Sequence, residues 1–351
     1  MRKPRLLAAL ALPLAGCPDS GTDKVGPVDT STSGCDRVHD ALGVLQLVGD
    51  TWSFPTDAPD PVKVTTAVAG PFSDGSTWIA SYQGTILQSG DDGCNWDKNG
   101  GGIDSTLDWG LLVAGDTAYA WDRGSDVFAM SVDGAMSWSA SSTGAPLFGS
   151  PVADSTVAGK LRGMTAGGLV GTEDDGVTWT PLGTPPPGAI AGAAVFPGNL
   201  DVAAVTYSGG VAITKTAGAS WEDIGTPLVD DGFIGRAVAF SPDSEDSVWA
   251  VGQEGEDIKI KHTSNAGTTW TDVATSRSID LSADAGLWPV AGNVNEAYSA
   301  YGTTDDGGQI EVYHMIASEN LHTNVAGTYT HINDLAIRDD GGLLLAVDGV
   351  K

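Results

Sequence analysis

Acidic side chains are the most numerous chemically active groups in this 351-residue sequence, which has 45 Asp and Glu against 17 Lys and Arg. Two placed carboxylates can hydrolyse a glycosidic bond, and a cluster of carboxylates can bind Ca²⁺. With so many acids, a suitably spaced pair is expected by chance and does not by itself predict an enzyme. Four acids in two Gly-containing segments, Glu254, Glu256, Asp305 and Asp306, form a candidate site for Ca²⁺ or a cationic partner, with solvated acidic turns as the alternative.

Other catalytic motifs are missing from the sequence. The five histidines form no H-E-x-x-H or comparable pair, and no G-x-S-x-G nucleophile motif occurs. The glycine cluster at 100–102 lacks the Lys-Ser/Thr that a phosphate-binding loop needs. The sequence therefore predicts no metal centre of the metalloprotease type, no serine hydrolase and no nucleotide site.

The net charge of −28 restricts the classes of partner. A strongly negative protein repels the phosphates of nucleic acids and does not rest on an anionic membrane surface. We therefore expect no nucleic-acid partner. The charge itself is explained either by solubility or by a cationic ligand.

The N-terminus is typical of a secretion signal. Arg2, Lys3 and Arg5 precede a nine-residue apolar run that is too short to span a bilayer as a helix. The run leads into Leu-Ala-Gly-Cys at residues 14–17, which resembles the lipobox of bacterial lipoproteins. This resemblance implies a signal peptide over 1–16, lipidation of Cys17, and anchoring in the cell envelope, at the outer membrane or the cell surface. An ordinary signal peptide with a chance cysteine is the alternative.

Residues 18–34 are rich in Pro, Gly, Ser, Thr and Asp and lack periodicity. This composition predicts a flexible tether behind Cys17 and a folded domain over 35–351. Cys35 and Cys94 remain in a compartment that permits disulfides, and we predict that they pair. Two buried free cysteines are the alternative.

One octet occurs five times: SGDDGCNW at 89–96, SVDGAMSW at 131–138, TEDDGVTW at 172–179, TKTAGASW at 214–221 and TSNAGTTW at 263–270. The tryptophans are separated by 42, 41, 42 and 49 residues. Between octets, short runs of Val, Ile, Thr and aromatic residues alternate with Gly-containing turns, which is typical of β-hairpins. About four strands per repeat of 40 to 50 residues indicate the blades of an all-β, single-domain β-propeller.

The octet resembles the Asp-box, or BNR repeat, S/T-x-D-x-G-x-x-W, which in its family forms the turn between the third and fourth strands of a blade. The resemblance implies structural roles for the hydroxyl, the acid, the glycine and the tryptophan. The positions that carry it are Ser89, Asp91, Gly93, Trp96, Ser131, Asp133, Trp138, Thr172, Asp174, Gly176, Trp179, Thr214, Gly218, Trp221, Thr263, Asn265, Gly267 and Trp270. The third position departs from the pattern at Thr216 and Asn265, and the fifth at Ala135.

Counting repeats predicts seven four-stranded blades, with six as the alternative. A sixth unit at 279 onwards keeps its hairpin but lacks the octet, and the C-terminus supplies only two more strands. Two strands near the N-terminus, in ALGVLQLVGDTWSF, can complete the last blade and close the ring.

Propellers with such octets include sialidases, xyloglucan hydrolases, sortilin-type receptors and photosystem assembly factors. A sialidase needs three convergent arginines, but no Arg-Ile-Pro segment occurs here, and Arg123 and Arg338 lie beside predicted turns. The tryptophans outside the octets are expected to pack in the core rather than to stack on sugars. We predict a monomeric, non-catalytic binding or scaffolding module without a cofactor, whose partner is an envelope protein or a polysaccharide. The alternative is a glycoside hydrolase.

Overall fold

The computed structural model describes residues 43–48, 51–53, 65–82, 85–97, 103, 107–208, 210–225, 228, 232–255, 257–277, 286–303, 309–316, 319–326, 329–338 and 341–349. Residues 34–351 belong to one compact unit. Cys17, Cys35 and the expected signal and tether lie outside the described residues. Within the described part, no helix has the length and apolarity needed to cross a membrane.

The described part contains 27 β-strands, whose alternation of short apolar runs and turns follows the sequence pattern. Their bounds are β1 Val44–Val48, β2 Thr51–Ser53, β3 Thr65–Ala69, β4 Trp78–Tyr82, β5 Thr85–Ser89, β6 Trp109–Ala114, β7 Thr117–Asp122, β8 Val127–Ser131, β9 Ser139–Ser142, β10 Leu147–Ala153, β11 Leu161–Thr165, β12 Gly168–Thr172, β13 Thr180–Pro181, β14 Ile190–Val195, β15 Ala203–Tyr207, β16 Gly210–Thr214, β17 Glu222–Asp223, β18 Phe233–Phe240, β19 Val248–Glu254, β20 Asp257–Thr263, β21 Thr271–Arg277, β22 Gly286–Pro289, β23 Glu296–Thr303, β24 Gln309–Ile316, β25 Glu319–Ala326, β26 Tyr329–Ile337 and β27 Leu343–Gly349.

These strands form seven antiparallel sheets, one per blade, so the predicted all-β propeller with seven blades is confirmed. Five blades are simple four-stranded meanders that begin at β6, β10, β14, β18 and β22. The first blade has the three strands β3–β5, and Asp97 adds an isolated bridge to Gln88 where a fourth strand would lie. The sixth blade has no octet, yet β24 and β25 still pair over eight positions.

The seventh blade is built from both ends of the domain, in the order β2-β1-β27-β26. Its register joins Val44 to Ala346 and Leu47 to Leu343 across antiparallel strands. Leu45 and Leu345 are fully buried in this blade. The closure of the ring by N-terminal and C-terminal strands is therefore as predicted.

Apolar packing is concentrated at the seams between blades. Seven clusters of buried apolar side chains occur in the described part, and each combines residues of two neighbouring blades. At the seam between the second and third blades, for example, the Trp179 ring meets Phe128 edge-on with centroids 5.0 Å apart. Such edge-on aromatic pairs contribute about 0.5–1.5 kcal/mol beyond the area they bury. The octet tryptophan is thus a seam residue here.

Each octet forms the turn after the third strand of its blade and satisfies its own backbone. The first-position hydroxyl accepts the N–H of the fifth residue at 2.9–3.1 Å in all five copies. The third-position side chain accepts the N–H of the seventh residue at 2.8–3.1 Å, again in all five. Thr216 and Asn265 make this second bond without a charge, so the turn needs an acceptor at that position rather than a carboxylate.

Two successive residues in each octet adopt positive φ. The fifth position has φ between 67° and 89°, which is where four of the five copies have glycine. The fourth position also has positive φ, between 50° and 72°, although four copies have Asp or Ala there. The sequence pattern indicated the first of these two constraints and missed the second.

Candidate functional site

The propeller axis contains a cavity of about 620 Å³. Its wall is made by the first strands of four blades, β10, β14, β18 and β22, and by β26. Each of these strands lies at one end of its sheet, so one backbone edge has no partner strand within the described part of the chain. The second blade contributes Asp108, which precedes β6, Trp121 of β7, and Arg123, which follows β7. The cavity is therefore bounded by unpaired strand edges as well as by side chains.

Irregularities in strand pairing determine which side chains enter this cavity. Single residues interrupt the register of β3, β14 and β18 at Thr66, Ala191 and Arg236. The register of β26 is interrupted at Asn333 and again at 330–331. In β10 the interruption covers 149–151. A β-bulge turns the side chain of the extra residue away from the normal alternation. Ala191, Arg236 and Asn333 consequently line the cavity, together with Ser150 from β10.

An anchored ion pair occupies one side of the cavity. Arg123 follows β7 and lies beside the residue that precedes β6, because Trp109 pairs with Asp122. Its guanidinium donates to Asp108 Oδ1 at 3.1 Å and to the bulged Thr66 carbonyl at 3.0 Å. Arg123 thus links the first two blades at the axis.

Arg236 is presented by a backbone that cannot shift freely. The side chain is exposed on the cavity wall, and among the described residues its guanidinium makes no hydrogen bond or ion pair. Its carbonyl oxygen lies against Gly192 of β14, where an added Cβ would be only 2.4 Å away. The neighbouring strand therefore fixes the bulge from which the guanidinium projects.

Asp334 supplies a second acid on the same wall. Its Oδ1 accepts the N–H of Leu335 at 2.9 Å, and its Oδ2 accepts the N–H of Val68 at 3.2 Å. The residue keeps some exposure to the cavity, but its carboxyl is largely removed from water. This desolvation raises the pKa to about 6, against the opposing effect of the Arg123 charge. The carboxyl gains and loses its proton in the weakly acidic range.

The tryptophans outside the octets divide into two groups. Trp78, Trp109 and Trp249 are fully buried, as expected for core packing. Trp121 and Trp288 line the cavity, and the Trp288 side chain donates to Asp334. Trp288 is half-buried, so it leaves an apolar surface beside the charged groups. The side chain of Trp52 lies outside the described residues.

Of the four acids expected to cluster at the turns of the fifth and sixth blades, Glu254 lies among the described residues. Glu254 ends β19, and its Oε2 lies 3.5 Å from the buried ammonium of Lys261. Glu256, Asp305 and Asp306 lie outside the described residues. Among the described residues, no group of three or more potential metal ligands occurs. The cation site stays a prediction.

Cys94 lies in the first octet turn and is disulfide-bonded. The residue that bonds to it lies outside the described residues, so the pairing with Cys35 stays a prediction.

A buried Ser–His pair occurs away from the cavity and is structural. Ser247 Oγ lies 2.8 Å from His262 Nε2 and donates to the Val294 carbonyl of the next blade. The imidazole stacks on Trp249 at 4.3 Å, and burial lowers its pKa to about 4. Both side chains are less than a tenth exposed, so a substrate cannot reach the hydroxyl.

Sequence reasoning placed none of the cavity residues at the axis. Two arginines, Arg123 and Arg236, reach the cavity, whereas Arg162 is buried beside Glu173 in the third blade. An arginine triad is therefore absent from the described cavity wall. The bulges have no local signature that could have identified Arg236. The turn position of Arg123 was readable, but its direction toward the axis was not.

Comparison with known proteins identifies the fold. No protein-family model and no curated protein sequence matches the chain. Among solved structures, YCF48 bound to D1 peptide is 16% identical with a TM-score of 0.57, over 89% of this chain and 99% of that one. The GH74 xyloglucanase of Xanthomonas campestris is 14% identical with a TM-score of 0.58, over 82% of this chain and 51% of that one. A chain of the mitotic checkpoint complex is 13% identical with a TM-score of 0.56, over 97% and 99%.

These identities are too low to transfer a function, since one fold serves many activities. Together with the seven sheets, they show that the chain is a seven-bladed β-propeller.

Proposed function

We propose that this protein is a lipid-anchored, non-catalytic binding module of the bacterial cell envelope that holds an extended segment of a partner protein in the axial cavity. The observation that carries the proposal is the ring of bulged first-strand residues, Ala191, Arg236 and Asn333, around a cavity bounded by unpaired strand edges. Free strand edges offer main-chain donors and acceptors to an extended peptide.

The cavity suits recognition better than turnover. Both oxygens of Asp334 accept backbone N–H groups, and Asp108 is paired with Arg123. These partners hold the two acids in place and leave the Arg236 guanidinium as the charged group available to a ligand. The solved structure of YCF48 contains a D1 peptide, which supports a peptide as the kind of ligand a propeller of this fold can hold.

The anchor rests on the sequence alone. Cys17 within Leu-Ala-Gly-Cys would carry the lipid, and the 17 residues that follow it would place the propeller away from the membrane surface. Metabolic labelling with a radioactive fatty acid should label the wild-type chain and leave Cys17→Ala unlabelled. Label on the Cys17→Ala chain would remove the anchor from the proposal.

Capture from the source cells tests the binding role. The full chain is immobilised beside two variants that obstruct the cavity from different strands, Ala191→Trp and Ser150→Trp, and beside Val177→Trp as the control. Val177 is 64% exposed in an octet turn, so its replacement adds the same side chain outside the cavity. Melting temperatures establish that each variant is folded.

We expect wild type and Val177→Trp to retain the same envelope protein, and both cavity variants to lose it. Equal retention by all folded variants would move the binding surface away from the axis. Retained polysaccharide that is lost from the cavity variants would replace the protein ligand by a glycan.

A glycoside hydrolase is the second candidate, because two acids line the cavity and the pKa of Asp334 is raised to about 6, in the range of a general acid. Retained polysaccharide that shortens with time, and whose cleavage stops in Asp334→Asn, would favour this function over binding. Polysaccharide of constant length would argue against it.

A further inference from the structure

Charge is distributed unevenly between the surface of this protein and its axis. The chain has a net charge of −28, but the cavity wall carries two acids and two arginines, Asp108, Asp334, Arg123 and Arg236. Cations are scarce in this sequence, with 17 in all. Two of them at one cavity therefore need a local explanation.

Only one of the two arginines has its charge offset by a direct contact. Arg123 is bound by Asp108 and by the Thr66 carbonyl. The Arg236 guanidinium has neither a carboxylate nor a carbonyl partner among the described residues, although it could not lose its proton. A guanidinium presents donors in a planar arrangement that matches the two oxygens of a carboxylate.

The bulge fixes the backbone position from which the Arg236 side chain projects. Its backbone lies against β14 at Gly192, and its neighbours Gly235 and Ala237 are paired with β19 on both sides of the bulge. On the next blade, Trp288 provides a half-buried aromatic surface on the same cavity wall. A charged donor and an apolar surface on one cavity wall suit a carboxylate carried on an aliphatic side chain.

We infer that Arg236 is the carboxylate-binding residue of the axial cavity and that the segment held there carries an acidic side chain. This inference rests on the proposed function, because it names the chemistry of the ligand for the same cavity. It also predicts selectivity, since most of the protein surface repels an acidic segment, whereas Arg236 offers one a charge partner within the cavity.

Calorimetric titration with acetylated, amidated tetraglutamate tests the inference, with tetraglutamine as the uncharged probe. Four forms of the full chain are compared: wild type, Arg236→Gln, Ala191→Trp and Lys215→Gln. Lys215→Gln is the matched control, because it removes the same charge from an exposed residue that pairs with Glu245 and Asp246 outside the cavity.

We expect tetraglutamate to bind wild type and Lys215→Gln with similar affinity, and Arg236→Gln to bind at least tenfold more weakly, which corresponds to about 1.4 kcal/mol. Tetraglutamine should not bind. No binding of tetraglutamate to wild type, or equal weakening in Arg236→Gln and Lys215→Gln, would overturn the inference.

The two proposals fail in different ways. If the captured protein is lost from Ala191→Trp but kept by Arg236→Gln, the cavity binds a partner without the carboxylate contact, and only the inference falls. If Ala191→Trp captures as well as wild type, the cavity function itself falls.

Discussion

The octet turns and the axial bulges solve the same problem of unpaired backbone in opposite ways. Each octet closes its turn with its own side chains, as Ser131 and Asp133 do at the second blade. Each bulge is held by residues far away in sequence, as Thr66 is by Arg123 and the Arg236 backbone by Gly192. The self-contained solution is repeated five times, and the dependent one differs from blade to blade.

The difference teaches where variation is possible. A local motif can be copied because it needs nothing from its neighbours, so the periphery of the ring is regular. The axial residues can differ because each is set by a particular neighbouring strand. Function is therefore more readily placed at the axis, where Arg236, Asn333 and Ala191 replace one another around the ring.

The largest effect is expected where an axial bulge is disturbed through its neighbour. Gly192→Ala would place a Cβ 2.4 Å from the Arg236 carbonyl oxygen and 2.9 Å from Ala237 Cα. Because both contacts are backbone, β18 must move, and we expect the free energy of unfolding to fall by about 3 kcal/mol. Chemical denaturation measures this change.

The control is Gly90→Ala in the first octet, where an added Cβ meets nothing within 4 Å. It should change stability by less than about 0.5 kcal/mol. A Gly192→Ala protein as stable as Gly90→Ala would show that the bulge is not held by β14.

Asp334 at the axis and Asp133 in an octet should affect stability in opposite ways as the pH changes. Burial raises the pKa of Asp334 to about 6, so the folded state holds a proton there that the unfolded state releases near pH 4. As the pH rises from 4 to 6, the free energy of unfolding should therefore decrease, by about 2–3 kcal/mol from this group. Asp334→Asn should remove that fall.

The octet acid Asp133 is the counterpart. Hydrogen bonds from Ser137 and Ser131 lower its pKa to about 2, so its contribution is present above pH 4 and is lost as the pH decreases toward 2. Unfolding at a series of pH values should show that Asp133→Asn removes the pH dependence of stability below pH 4 and leaves the slope above pH 4 unchanged. The same change in both variants would contradict the contrast.

Removing a buried octet hydroxyl should lower the free energy of unfolding by an intermediate amount. Thr263 is 1% exposed and accepts the N–H of buried Gly267 at 3.0 Å. Thr263→Ala leaves that donor without an acceptor, and we expect a loss of about 1–2 kcal/mol in thermal or chemical unfolding. Ser264→Ala, at the exposed second position of the same octet, should be neutral. Equal effects of the two would assign the turn's stability to its backbone alone.

The smallest effect should be a gain. Ala266 has φ of 50° at the fourth position of this octet, where a Cβ is strained. Ala266→Gly should stabilise the protein by about 0.5–1 kcal/mol, offset in part by the entropy that glycine adds to the unfolded chain. A melting temperature that decreases would show that the turn tolerates the left-handed alanine without strain.

The octet turns could be predicted from the sequence, whereas the residues at the axis could not. The octet predicted the turn and the repeated blade, because Thr263, Asn265 and Gly267 act within one turn. The number of blades needed the strands of the sixth and seventh blades as well, since those blades have no octet. Ring closure was predictable because the C-terminus supplies only two strands, β26 and β27, and the two N-terminal strands β1 and β2 complete a four-stranded blade with them. Arg236 at the axis was not, since its bulge arises from a register with β19 and a contact with β14.

The mixed seventh blade has a consequence for the order of events in folding. β1 is synthesised early, but its partner β27 follows only after the six other blades, as the pairing of Val44 with Ala346 requires. Until then the Val44–Val48 strand and the face of the first blade that packs on Leu344 have no cover. Closure is thus the last step, and it joins strands that are far apart in sequence. Because such non-local pairing slows folding, we expect this chain to fold slowly even though its octet turns form from neighbouring residues.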